Sequence, residues 1–251
     1  MKVIVAIDDT DNLESRGTGH LAEEIAQGVV RNGWGTRTFI TRHQLFVHPD
    51  VPYTSHNSAM CFTAEIDGGH LDRLIADAAA FLEKESAEGS DPGLCVAVDD
   101  RVGEAKAKEL LEWGRRAKRE VLTQGDARGL AQRLGVHLSS HGGTGQGVVG
   151  ALAGVGLRHG GNDGRLRGHF DIRSFDGVAS AGEICARLGL DAVRSPEGRV
   201  LRGDETVLLV GEKLKAVLLD GKATLLVMPS DGQPDDVAPW RMCPREIVKT
   251  Y

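Results

Sequence analysis

"VIVAIDDTDNLESRGTGHLAEEIA", Val3 to Ala26, holds a strand, an acidic turn and the start of a helix in one stretch. Val3 to Ile7 is an unbroken apolar run, which predicts a buried strand over Lys2–Asp8. Leu21, Ile25, Val29 and Val30 share one helical face, which predicts an amphipathic helix over Gly19–Asn32 with Gly33 as its cap. Between them stand Asp8, Asp9 and Asp11, three carboxylates within four residues. Ligands in open α/β sheets gather at strand ends of this kind. Clustered carboxylates there suit Mg²⁺, a hard cation that takes oxygen ligands, bridges to phosphates and cancels the mutual repulsion. The same residues suit a tight turn and a capped helix N-terminus, and chemistry alone leaves both readings open.

Further along, strands are expected over Gly35–Phe46, Ala59–Ile66, Gly93–Asp100 and Gly168–Ser174. Helices are expected over Gly68–Ser86, Lys106–Leu122 and Ala127–Leu134, and after Ser180, where Glu183 completes a capping box. The stretch from His48 to Ser58, with Pro49 and Pro52, is irregular. Beyond Asp191, "VLLVG", "KAVLLDG" and "KATLLVMP" separated by turn residues predict hairpins. Helices and strands alternate through most of the chain, so the fold class is α/β or α+β around a mixed sheet. A core over residues 1–175 and a smaller α+β region over 176–251 are expected.

The 251 residues carry a formal charge of −6, so no global basic footprint points to nucleic acid. Aromatic residues make up 4% of the chain, too few for a base-stacking platform. Cys61, Cys95, Cys185 and Cys243 form no CxxC pair and read as reduced thiols. No signal segment or membrane-length apolar run is visible, so a cytoplasmic protein with no membrane partner is expected.

"HGGTGQGVVGALAG", His141 to Gly154, is a glycine loop running into an apolar helix. Gly142, Gly143, Gly145 and Gly147, with Thr144 and Gln146 between them, free the backbone to aim amides at a phosphate beside a helix N-terminus. No Gly-Lys-Ser/Thr follows, so it is not a Walker A loop. The alternative is a flexible turn before a tightly packed helix. His43, His48 and His56 crowd one segment; zinc is one reading and polar loop groups are another, with His141 as a further anion contact. The basic run Glu112–Glu120 reads as a solvated helix face.

Taken in order, the IDDTD of Ile7–Asp11, the proline-rich segment His48–Ser58 and the stretch Gly143–Gly156 resemble the archaeal tRNA-isoleucine agmatinylcytidine synthetases, the TiaS family. The resemblance is clearest up to about Arg173. It implies an ATP-dependent enzyme with a kinase-like domain and a ferredoxin-like second subdomain. Such an enzyme phosphorylates a cytidine oxygen, and agmatine then displaces the phosphate. It maps the Mg-ATP site to Asp8, Asp9 and Asp11, and a phosphorylated threonine to Thr18. Two departures stand out. "SRGTGHL" replaces the family's "GMCTTYL", and Thr54-Ser55-His56-Asn57-Ser58 replaces Lys-Thr-Arg-Gly-Asn, losing two permanent cations. The family continues into OB-like and zinc-ribbon modules, for which this sequence offers no CxxC pair.

The expected protein is therefore a Mg-ATP-dependent phosphotransferase or ligase-like enzyme. Asp8, Asp9 and Asp11 hold Mg²⁺, Gly142 to Gly147 cradle phosphates, and His56, Asn57 and Ser58 line the acceptor side. The expected acceptor is a small molecule. A tRNA acceptor would need a separate RNA-binding subunit, and a silent nucleotide-binding regulatory module is the third reading.

Overall fold

The computed structural model describes residues 1–51, 57–232 and 237–251. They fall into two units, Met1–Gly160 and Gly161–Tyr251. This division lies ahead of the boundary expected after residue 175.

The first unit runs β1 (Lys2–Asp8), α1 (Thr18–Arg31), β2 (Gly35–Arg37), β3 (Thr41–Gln44), β4 (Ser58–Ile66), α2 (Leu71–Glu85), β5 (Gly93–Val98), α3 (Asp99–Ala117), α4 (Gln124–Leu134), β6 (His137–Ser140) and α5 (Val148–Gly160). Its sheet has the order β6-β5-β1-β4-β3, with β2 also on β4. Every pairing in it is antiparallel. The strand-end rule for open parallel sheets therefore does not explain the acids at the end of β1.

What does place them is alternation along β1. Val3, Val5 and Ile7 point to one face and join Leu21, Ile25 and Val29 of α1 and Leu74, Ala78 and Leu82 of α2. Ile4 and Ala6 point to the other and join α3, α4 and α5. Burying each such branched side chain contributes about 1.5–3 kcal/mol, enough to carry an unfavourable charge at the strand end. Asp8 comes next on the α5 face. Small residues let α5 approach closely there: a Cβ at Gly154 would stand 3.1 Å from those of Ala6 and Ala59. A Cβ at Gly150 would collide with the Asp8 carboxylate.

Several boundaries differ from expectation. The helix expected from Lys106 begins at Asp99 and ends at Ala117, and Gly103 breaks it with φ 64°. β6, where Leu138 packs on the core and His137 and Ser139 sit on the opposite side of the strand, is an element the sequence does not signal. The extended stretch from Gly35 divides into β2 and β3.

The second unit contains β7 (Arg165–Leu166), β8 (Phe170–Asp171), β9 (Val178–Ser180), α6 (Ala181–Leu188), β10 (Ala192–Arg194), β11 (Thr206–Leu208), β12 (Lys213–Leu214), β13 (Val217–Leu219), β14 (Lys222–Pro229), β15 (Trp240–Met242) and α7 (Arg245–Val248). Its pairings are mixed: β10 on β14 and β11 on β15 are parallel, the others antiparallel. The expected hairpin is β13–β14, turned by Asp220 and Gly221 at φ 50° and 72°, a type I′-like pair. The Ser180 hydroxyl caps α6 by accepting the Glu183 N–H at 3.2 Å. The strand expected over Gly168–Ser174 shrinks to β8, since Asp171 turns back to bind Arg173.

Candidate functional site

A cleft of about 880 Å³ in the first unit is lined by several elements, the segment between α3 and α4 among them. Asp8, Asp9 and Asp11 come from the end of β1, and Gly17, Thr18 and Gly19 from the start of α1. Arg42, Asn57, Ser58 and Met60 come from β3, β4 and the segment before β4, and Thr144, Gln146, Gly147 and Gly150 from the loop and first turn of α5. Residues far apart in sequence are thus gathered around one space.

The carboxylates set its electrostatics. Asp8 is buried; its burial first, then the charges of Asp9 and Asp11, push its carboxyl well above the usual range. Asp9 adopts a left-handed conformation, φ 52°, which turns the chain sharply after β1. Burial, then Asp91 and Asp11, push the Asp9 carboxyl up to about 6. Six carboxylates line the cleft (Asp8, Asp9, Asp11, Asp50, Asp91 and Glu120) against one guanidinium among the described residues, that of Arg42. Arg42 donates its Nε–H to the Ser58 hydroxyl at 3.0 Å.

This donor set is all oxygen, and burial first, then neighbouring carboxylates, holds Asp8 and Asp9 above the usual range. Both features fit a divalent hard cation. Among the described residues no three His, Cys, Asp or Glu side chains form a ready-made metal cage. Mg²⁺ is usually held by one or two carboxylates together with substrate phosphates, so the acids fit that mode.

Other expected residues sit as follows. Thr18 is buried and opens α1 behind Gly17. Asn57 holds the chain entering β4, donating to the Phe46 carbonyl at 2.6 Å, while its own carbonyl accepts from Leu45 N and Gln44 Nε2. His56 lies outside the described residues. Gly142, Gly143 and Gly145 do not line the cleft; they lie behind it, at φ 155°, 52° and 83°. The loop amides of Thr144 and Gly145 donate to the Asp91 carboxylate, and that of Gly147 donates to the Asp91 carbonyl at 3.0 Å.

Among the described residues, His43, His48 and His141 do not gather. His43 is buried and bonds the Thr41 hydroxyl, and His48 stacks on Phe46. His141 faces away from the cleft, bonding Ser139 Oγ at 2.7 Å and Glu83 at 3.1 Å. The four cysteines are free, and burial pushes the Cys61 thiol up to about 12, leaving it inert. The basic run Glu112–Glu120 is tied by surface ion pairs, Arg116 to Glu120 at 3.0 Å among them.

Asp91 is one of the site residues that sequence reading missed, with Arg42, Asp50 and Glu120. It precedes Pro92 and Gly93, so the local text reads as a turn, and its partners lie in the glycine loop beyond α4. No local pattern could have found it.

No family model matches the chain. It is 32% identical over 162 residues to the tRNA-isoleucine 2-agmatinylcytidine synthetase TiaS of Pyrobaculum neutrophilum, covering 62% of this chain and 35% of that protein. It is 30% identical over 160 residues to an uncharacterised protein of Methanocaldococcus jannaschii, covering 62% of this chain and 50% of that one. The chain therefore spans between about a third and a half of the curated relatives it matches. Among solved structures, apo TiaS superposes with TM-score 0.53 at 26% identity, over 62% of this chain and 35% of its own. The complex of TiaS with its isoleucine tRNA and ATP superposes with TM-score 0.54 at 23% identity, over 80% of this chain and 48% of its own, which speaks to the fold alone. In sequence and in fold, across the greater part of its length, this chain is similar to TiaS.

Proposed function

We propose that the acid-lined cleft is a Mg-ATP site and that the protein is a phosphotransferase or ligase-like enzyme. The observation carrying this is the trio of buried Asp8 and half-buried Asp9 and Asp11, the first two with raised carboxyls, facing the start of α1 and the glycine loop across one cleft. The reading is supported by TiaS, which has been captured with ATP, and with AMPCPP and agmatine.

Asp8, Asp9 and Asp11 would hold Mg²⁺, which when bound neutralises phosphate charge and orients the nucleotide. The start of α1 at Thr18 and Gly19 adds N-terminal partial positive charge beside the acids. Arg42, tied to Ser58, offers the cleft's fixed cation to a phosphoryl group or an acceptor oxygen. Asn57 and Ser58 form the acceptor side, and Thr18 at the start of α1 is the candidate hydroxyl to take a phosphoryl group. Phosphorylating an amide or carbonyl oxygen to prepare it for amine attack needs positioned charge more than a protein nucleophile.

The preferred acceptor is a small molecule, because a cleft with six carboxylates repels a polyanion. A second reading keeps tRNA as acceptor, delivered with a separate RNA-binding subunit; the tRNA in the TiaS complexes favours it. Incubating the purified chain with Mg-ATP, with and without amines such as agmatine, and resolving ADP, AMP and inorganic products tests the enzyme reading. Turnover that vanishes in Asp8→Asn and Asp11→Asn is the expected result. Wild-type turnover in those variants would remove the metal-site assignment, and ATP binding without turnover would favour a regulatory module.

A further inference from the structure

Asp91 lies between α2 and β5, and its carboxylate faces the glycine loop rather than solvent alone. It accepts the Thr144 backbone N–H, the Thr144 hydroxyl at 2.7 Å and the Gly145 N–H at 3.3 Å. One residue thus takes three donors, and its carbonyl takes a fourth from Gly147. The glycines are what permit this embrace. A Cβ at Gly143 would collide with the Asp91 carboxylate, and one at Gly147 with the Asp91 carbonyl.

We propose that Asp91 is a positioning residue: an internal anion that fills the nest formed by Thr144 and Gly145 and holds Gln146, Gly147 and the start of α5 against the acid-bearing end of β1. The inference rests on reading the cleft as a Mg-ATP site, and it changes the loop's part there. The Thr144 and Gly145 amides are committed to a protein carboxylate. Nucleotide phosphates are then held from the β1 and α1 side, and the loop serves as the wall that keeps Asp8 seated on Gly150. Asp91 acts through that wall.

The test compares the full chain with Asp91→Asn and with Thr144→Val, which loses only the hydroxyl bond. Two quantities are read: amide hydrogen exchange at Thr144 and Gly145 without nucleotide, and calorimetric Mg-ATP affinity where all variants are folded. Since bonds to a charged acceptor are the stronger kind, Asp91→Asn is expected to speed exchange at both amides by about tenfold or more. Mg-ATP affinity should weaken by about tenfold, with Thr144→Val intermediate. Unchanged exchange in Asp91→Asn overturns the proposal. Faster exchange with unchanged Mg-ATP affinity also overturns it, by showing that the loop is held but plays no part in the site. A wild-type chain that binds no Mg-ATP refutes the nucleotide reading of the cleft, and the exchange rates then decide Asp91's hold on the loop by themselves.

Discussion

At Asp8 and Asp9 the protein tolerates carboxyl groups that would sooner be protonated. A carboxyl raised in the folded state favours folding while protonated. Its contribution is present below the ordinary carboxylate range and is lost as pH rises through the folded value. For Asp9 that window runs from about 4 to about 6, and the raised Asp8 carboxyl adds to the same trend. Without divalent cation, the thermal midpoint is therefore expected to fall as pH rises from 4 to 7, and Mg²⁺ should flatten the trend. Asp9→Asn removes the charge and keeps a residue type that accepts the left-handed turn. Discounted because water still reaches the group, its gain at pH 7 is about 1 kcal/mol, or roughly 2–4 °C, readable by calorimetry. A loss of stability would contradict the charge argument. The acids were legible in the sequence because they are contiguous. Asp91 was not, because its role is made by hydrogen bonds to residues on the far side of α3 and α4.

Among the elements, α5 carries glycines with separate duties. Gly150 admits the Asp8 carboxylate, Gly154 admits Ala6 and Ala59, and Gly156 admits the Leu110 carbonyl of α3. Gly150→Ala is expected to cost about 1–3 kcal/mol by overpacking and to displace Asp8, abolishing Mg-ATP binding. Gly28→Ala in α1 is the contrast: a Cβ there meets nothing within 4 Å, so stability should rise by about 0.5–1 kcal/mol with binding unchanged. Thermal melts with a binding assay on both variants check the pair. A tightly packed helix at this place was one of the two readings that the sequence offered. The β1, β4 and β5 strands and the β13–β14 hairpin were legible too, because apolar runs and an Asp-Gly turn are local signals. β6 escaped because one face alone is apolar in so short a strand, and α3 was misjudged because Gly103 breaks its pattern.

Over the whole molecule, a net charge of −6 and an acidic cleft set which partners are easy. Among the described residues, no helix is long and apolar enough to cross a membrane. If the chain acts on a small molecule, its own affinity for tRNA should be weak at physiological salt, with a shallow salt slope, because few phosphates are neutralised. A steep slope in a filter-binding titration would instead favour the tRNA reading. The central claim is narrower than the choice of acceptor: the cleft bearing Asp8, Asp9 and Asp11 binds ATP through a divalent cation. Calorimetric titration of the wild-type chain and Asp8→Asn with a non-hydrolysable ATP analogue, with and without Mg²⁺, tests it most directly. The account predicts binding that requires both Mg²⁺ and Asp8; absence of binding, or equal binding by the variant without Mg²⁺, would contradict it.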